Sequence, residues 1–243
     1  MTEIYAEWKS WQAADFGRLP KDEACYFAKL MRQSPALLAL DAGSKVLEIG
    51  FGNGAFMHFA KDRGMAVAGV DIVPELVQRA RQSGYAAFGS VDELLAAPAA
   101  ADAQRFDAVF LFDVLEHLNP EQIVALFHQL RSCASDAAVV VMRFPNGGGP
   151  LGLANQHGDP THRTALTASK LDFFLHGTGW RLQSCRGDVF PVWNGRPAKL
   201  PHRALAFALR TVLEKLFRLI YFPQSRGVLS ANLLAVLARL PDR

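Results

Sequence analysis

Val46-Leu-Glu-Ile-Gly-Phe-Gly-Asn-Gly54 joins a short apolar run to three glycines at alternate positions. The run reads as a buried strand and the glycines as a turn entering a helix. Glycine admits positive φ and lets backbone approach a ligand, and the helix start that follows presents free N–H groups. Asp71 closes a second apolar run, MAVAGVD (65–71), 21 residues after Gly50. That separation predicts a carboxylate placed to accept hydrogen bonds from a ribose diol.

Outward from this turn the pattern repeats. Further apolar runs are YAAF (85–88), FDAVFLF (106–112) and AAVVVMRF (137–144), with helix-period segments at about 54–63, 74–83, 91–97 and 120–132 between them. Buried strands alternating with helices predict an α/β fold, a doubly wound, Rossmann-like parallel sheet. After the Gly/Pro-rich PNGGGPLG (145–152), a helix is expected at 167–177, a strand at 180–187 and a last strand near 231–238. Residues 1–44 mix aromatics and charges at helical spacing (Tyr5, Trp8, Trp11, then Cys25, Phe27, Leu30 and Met31) and predict an N-terminal helical cap. The rest, 45–243, reads as one catalytic-type domain. The Ala-rich AAPAAADAQ around Pro98 reads as a loop.

With 243 residues, half of them hydrophobic and a fifth charged, the chain is long enough to bury a core without staples. Cys25, Cys133 and Cys185 are scattered and form no CxxC pair, which excludes a disulfide framework or cysteine zinc site and points to a reducing compartment. No secretory signal or span of 18 uncharged apolar residues is visible, so a cytoplasmic protein is expected. The net charge of +3 conceals a division. From Pro191 onward nine Lys/Arg face two Asp/Glu, whereas the preceding 190 residues carry 17 against 21.

The glycine spacing has two readings. Gly50-x-Gly52-x-x-Ala55 also fits the dinucleotide fingerprint, so an NAD-dependent oxidoreductase is an alternative. Glu48 separates them. A carboxylate inside an apolar strand is costly to bury without a partner. It would repel a pyrophosphate over the next turn and attract a cationic cofactor. S-adenosylmethionine carries both a sulfonium and an ammonium.

VLEIGFGNG, Val70-Asp71 and FDAVFLFDVLEHL (106–118) together resemble the class I S-adenosylmethionine-dependent methyltransferases. The likeness is to the "FD…EH" branch, with its ubiquinone-pathway O-methyltransferases and enzymes of glycan gene clusters. It implies a seven-stranded sheet whose last strand is antiparallel. It also implies that Glu48, Gly50, Gly52 and Gly54 hold the methionine end of the cofactor. Asp71 would take the ribose, Ile72 would flank the adenine, Ser90 would face the adenine amine, and Phe112 would close the site from the fourth strand.

Methyl transfer to oxygen requires positioning of the acceptor and removal of its proton. Candidate groups are Asp113, Glu116 and His117 after the fourth strand, and His162 in His157-Gly-Asp-Pro-Thr-His162-Arg163. Asp113 and Glu116, three apart, are expected at a helix start with both carboxylates toward one crevice. His117 or His162 would be the base, with Glu116 beside it. The alternative is a divalent metal on Asp113, Glu116, His117 and His162, a set similar to the E-x-x-E-H…H site of small-RNA 2′-O-methyltransferases. Equally, Asp113 would serve as a helix cap, His117 as a core histidine, and Asp159-Pro-Thr as a turn. His128 and His176 read as structural. A rival outside catalysis is a binding protein that retains the fold and cofactor pocket.

Residues 188–230 form an insert before the last strand. Within it, 203–222 read as one helix with Leu205, Leu209, Val212, Leu213, Leu216, Leu219 and Ile220 on one face and Arg203, Arg210, Glu214, Lys215 and Arg218 on the other. This helix is expected to pack on the domain or a partner subunit, or to lie at the inner membrane surface. No nucleic-acid module is present in the pattern. The expected acceptor is a hydroxyl of a glycan or lipid-linked sugar, suggested by the PNGGG…DPTH stretch and the basic helix, or otherwise a quinone-type or other small molecule.

Overall fold

A computed structural model describes residues 16–97, 105–221 and 229–241. The strands are β1 (Lys45–Ile49), β2 (Ala66–Val70), β3 (Ala86–Phe88), β4 (Phe106–Phe112), β5 (Ala134–Pro145), β6 (Trp180–Gly187) and β7 (Asn232–Arg239). They form one sheet in the order β3-β2-β1-β4-β5-β7-β6. β1 to β5 run parallel, and β7 is antiparallel to both β5 and β6. This is the doubly wound sheet with an antiparallel last strand that the alternation and the resemblance predict.

Strand periodicity distributes the core over two faces. Val46, Ala108, Phe110, Val141 and Leu234 pack toward α1 (Lys21–Leu30) and α3 (Ala55–Lys61), meeting Phe27, Leu30, Phe56 and Phe59. Leu47, Val109, Leu111, Val140 and Met142 pack on the opposite face against Ile123, Phe127 and Leu130 of α6 (Pro120–Cys133). A four-residue α2 (Pro35–Leu38) follows α1, and α4 (Pro74–Gln82) and α5 (Val91–Ala96) follow β2 and β3. The α6 start carries a full capping box: Asn119 accepts from the Gln122 N–H, and Gln122 accepts from the Asn119 N–H. The expected helices 54–63, 74–83, 91–97 and 120–132 therefore hold, with ends within two residues of those expected.

Beyond β5 come α7 (Leu153–Gly158), α8 (Ala168–Leu175) and, before β7, α9 (Leu200–Ile220). α9 begins earlier than expected because Pro201 sits in its first turn, where a missing N–H costs nothing. Its leucines face away from the domain, between 47% and 81% exposed from Leu205 to Ile220, and no residue of α9 is buried. The helix thus meets the domain, one of the placements expected for it, but not through its leucine face. The opposite stripe makes the contact: Arg203 donates to the Pro191 carbonyl, Phe207 stacks on Phe190, and Arg210 lies over the Phe190 ring. The expected helical cap is described from residue 16 onward. Tyr5, Trp8 and Trp11, the loop after Ala97 and insert residues 222–228 lie outside the described residues.

Candidate active site

β1 ends in the glycine turn at the carboxyl edge of the sheet. Gly50, Gly52 and Gly54 have φ of 71°, 53° and 74°. A side chain at Gly50 would meet Val114 Cγ2 at 2.5 Å, and one at Gly54 the Phe16 ring at 2.4 Å, so larger residues are excluded by contact as well as conformation. Asp71, at the end of β2, pins the turn. One carboxylate oxygen accepts from the Gly52 N–H and the other from the Val73 N–H, both at 2.9 Å. The Ile72 N–H also favours the charged carboxylate, which as a four-site acceptor keeps capacity for a ligand.

Glu48 points to the α1/α3 side of β1 and is 4% exposed. Its Oε2 has no hydrogen-bond partner among the described residues. Burial, and then the charge of Asp71, push its carboxyl well above the usual range, partly opposed by the Met57 N–H. A buried carboxyl oxygen without a donor is satisfied only by something entering the site. Glu48, Gly50, Gly52, Asp71, Ile72 and Phe112 all line one cavity of about 910 Å³. This orphaned acceptor and the glycine cradle fit a cationic nucleoside such as S-adenosylmethionine. Gly54 starts α3 behind the wall. Ser90 does not line the cavity; its hydroxyl accepts from the Glu93 N–H and caps α5.

The far end of the cavity is built from the segment after β4. Asp113 has φ 56°, the sole positive value among the described non-glycine residues, and its N–H donates to the Arg143 carbonyl at 2.9 Å. No α-helix starts there; a 3-10 turn spans Leu115–His117. The expected shared crevice for Asp113 and Glu116 is corrected accordingly. The Asp113 carboxylate pairs with the Arg143 guanidinium, with Nε 3.0 Å from Oδ1 and a second, shorter contact to Oδ2. Glu116 turns into the protein, fully buried, with neither oxygen hydrogen-bonded. Burial and the nearby Asp113 raise its pKa to about 8.

His117 lines the cavity, and its Nδ1 lies 2.9 Å from Thr161 Oγ1. Thr161 donates its hydroxyl to Asp159 Oδ1 at 2.5 Å, and its N–H to the same oxygen at 2.9 Å. With its only proton committed to Asp159, Thr161 Oγ1 is an acceptor, which assigns the Nδ1–H tautomer to His117 and leaves Nε2 with a lone pair. The Arg163 and Thr164 N–H groups both donate to the Glu116 carbonyl, which ties this segment to the 3-10 turn.

His162 does not line the cavity. Its Nδ1 meets the Gln156 carbonyl at 3.1 Å, and its Nε2 lies 3.9 Å from Glu116 and 3.8 Å from Asp159. The His117 and His162 rings are 4.7 Å apart. Candidate ligand atoms of Glu116, His117 and His162 all lie within 4.8 Å of one another, while Asp113 stands apart with Arg143.

Arg143 and Tyr26 are wall residues that the sequence did not single out. Arg143 lies over the Tyr26 and Phe112 rings at 5.2 and 5.5 Å, and Tyr26 donates to Asp188 at 2.8 Å. Arg143 carried the same signal as Glu48, a lone charge in a buried strand. Tyr26 and Thr161 carried none. Of the features behind the glycan expectation, residues 145–152 do not line the cavity, whereas Pro160 and Thr161 of the DPTH turn and Arg203 of the basic helix do.

A family model described as a methyltransferase domain matches residues 22–185. Similar proteins include a ubiquinone biosynthesis O-methyltransferase of Xanthomonas axonopodis pv. citri (strain 306), 28% identical over 70% of this chain and 77% of that protein. Another of the same name, from Xylella fastidiosa (strain M23), is 34% identical over 64% of this chain and 68% of its own. Among solved structures, an S-adenosylmethionine-dependent methyltransferase from Archaeoglobus fulgidus superposes with a TM-score of 0.59, at 21% identity, over 87% of this chain and 91% of that one. The oxidoreductase alternative falls with these matches. A buried Glu48 whose Oε2 has no donor among the described residues, beside a glycine turn and the Asp71 carboxylate, fits a cationic nucleoside, and the chain belongs to the methyltransferase domain family as an S-adenosylmethionine-dependent methyltransferase.

Proposed function

We propose that the enzyme methylates a hydroxyl oxygen on an apolar, ring-bearing small molecule of the hydroxylated aromatic or quinone type, with His117 accepting the hydroxyl proton. The observation that carries this reading is the chain from Asp159 through Thr161 to His117 at the cavity wall. Bound S-adenosylmethionine supplies an electrophilic methyl group carried on a sulfonium. Glu48 would hold the cationic methionine end, Asp71 the ribose diol, and the exposed Ile72 side chain the adenine face. At the other end, Tyr26, Phe27, Phe56 and Phe112 offer aromatic surface to a flat acceptor.

Thr161 keeps the imidazole in one tautomer and orientation, and Asp159 holds Thr161, so that His117 Nε2 is the basic atom. A phenol-type hydroxyl, with a pKa of about 10, is within reach of such a base. The sugar hydroxyl expected first from the sequence is a much weaker acid than a phenol, and a neutral imidazole is a poor base for it. The ubiquinone biosynthesis O-methylation for which the Xanthomonas and Xylella relatives are named also favours a quinone-type acceptor.

A second reading is favoured by the Glu116, His117 and His162 cluster, which could hold a divalent cation that lowers the hydroxyl pKa. Against it, tetrahedral ligands of zinc stand only about 3.4 Å apart, so this cluster would have to contract. One assay set separates the readings: methyl transfer to catechol and hydroxyquinone acceptors, and to nucleotide sugars, with and without EDTA. The base reading expects EDTA-insensitive transfer to the aromatic acceptors. It expects His117→Ala to lose at least a hundredfold in kcat with S-adenosylhomocysteine binding intact. It also expects Thr161→Val to lose about tenfold, with Thr161→Ser restoring most of it. Abolition by EDTA with rescue by Mg²⁺ would replace the base with the metal, and transfer to sugars alone would replace the acceptor.

A further inference from the structure

α9 presents to solvent the face that an amphipathic helix ordinarily buries. Leu205, Leu209, Val212, Leu216 and Leu219 follow a 4-3-4-3 spacing along one side, each 47–81% exposed. The helix is held to the domain from its other side, by the Arg203, Phe207 and Arg210 contacts with Phe190 and Pro191 and by Lys29 over the Phe207 ring at 5.3 Å. The leucine face therefore has no partner among the described residues of this chain. No helix among those residues is long and apolar enough to cross a membrane, so the face calls for a surface rather than a span.

Charge selects what that surface is. The one acidic residue of α9, Glu214, accepts the Leu229 N–H at 2.8 Å, while Arg203, Arg210, Lys215 and Arg218 are all basic. Near the N-terminus of α9, where its basic side meets Phe190, lies a cleft of about 630 Å³ lined by Lys199, His202, Arg203 and Arg210. Arg203 also lines the active-site cavity. A second copy packed on the leucine face would meet the exposed Lys215 at its rim with a basic rim of its own, since Glu214 already accepts the Leu229 N–H, and like charges there cost rather than stabilise. An anionic surface complements both features at once.

We propose that α9 is a membrane-surface docking element: the leucine face enters the boundary of an anionic phospholipid layer, and the Lys199–His202–Arg210 cleft receives a headgroup phosphate. The enzyme would thereby sit with one edge of its active-site cavity toward the lipid. This inference stands on α9 alone and does not depend on which acceptor is methylated or on the role of His117.

The test is co-sedimentation of the full chain with vesicles of equimolar phosphatidylglycerol and phosphatidylcholine, compared with phosphatidylcholine alone, over a range of salt. Binding is expected to the anionic vesicles only and to weaken as salt screens the charges. Leu209→Glu/Leu216→Glu should reduce it at least tenfold, and Lys199→Glu/Lys215→Glu should do so independently. All four positions are exposed and outside the cofactor cavity, so a retained thermal shift with S-adenosylhomocysteine verifies folding. Equal binding to both vesicle types, anionic binding that survives both double variants, or no vesicle binding would overturn the proposal. So would a dimer in solution that Leu209→Glu/Leu216→Glu dissociates without any vesicle binding by the parent protein.

Discussion

Glu116 is a carboxyl with no exposed surface and, among the described residues, no hydrogen-bond partner on either oxygen. Its pKa of about 8, against an ordinary 4.5, means that the folded protein holds a proton which the unfolded chain has released across that interval. Below the lower value both states are protonated and folding bears no penalty. As pH rises through the interval, stability falls, and above it the loss is complete. Thermal denaturation by circular dichroism should therefore show Glu116→Gln matching the parent near pH 4.5. Near pH 9 it should exceed the parent by a few kcal/mol, since each tenfold difference in proton affinity between the two states is worth about 1.4 kcal/mol. A parallel pH course for the two proteins would refute the account. The same scale shows why Glu48 and Arg143 were both detectable: each is a single charge in an apolar strand, and such a charge needs a partner. Arg143 finds Asp113, whereas Glu48 Oε2 finds none among the described residues. Thr161 and Asp159 look like an ordinary Pro-containing turn. Their meaning arises only when folding brings His117, 44 residues away in sequence, against the Thr161 hydroxyl.

At the scale of elements, the helices are ended by local chemistry. Asn119, Pro120 and Gln122 open α6 with a capping box and a proline in the first turn, and its apolar residues Ile123, Phe127 and Leu130 cover the sheet. Asn119→Ala should cost about 1 kcal/mol and lower Tm by about 2–4 °C, measured by thermal denaturation with cofactor binding unchanged. α9 obeys different rules. Its helical wheel has two faces, legible from the chain, but the side that packs is decided by where Phe190 and Pro191 lie. The side that packs is the one whose two arginines and stacked phenylalanine find a ring and main-chain carbonyls in reach. Periodicity along the chain carries no such information.

Over the whole molecule, one sheet carries two unlike tasks. The parallel half ends in the cofactor turn, and β5 and β7 carry the core from the parallel half to β6. Leu234, fully buried opposite Arg143 in the β5–β7 ladder, should cost about 2–5 kcal/mol when replaced by alanine, read by urea denaturation. Little change there would mean that the last strand is peripheral to the cooperative unit.

The order of strands and helices, the glycine turn with its φ-permissive positions, and the lone charges in apolar strands are local properties, and the sequence by itself determined them. The tertiary structure alone decided which side chains of Asp113-Val-Leu-Glu-His117 share a cavity, because a left-handed φ at Asp113 and a 3-10 turn send Asp113, Glu116 and His117 in three directions. It likewise decided that Thr161 orients His117, that His162 stays behind the wall, and that α9 turns its leucines outward. Each of these depends on contacts between residues distant in the chain, whose free energy exists only once the sheet has brought them together.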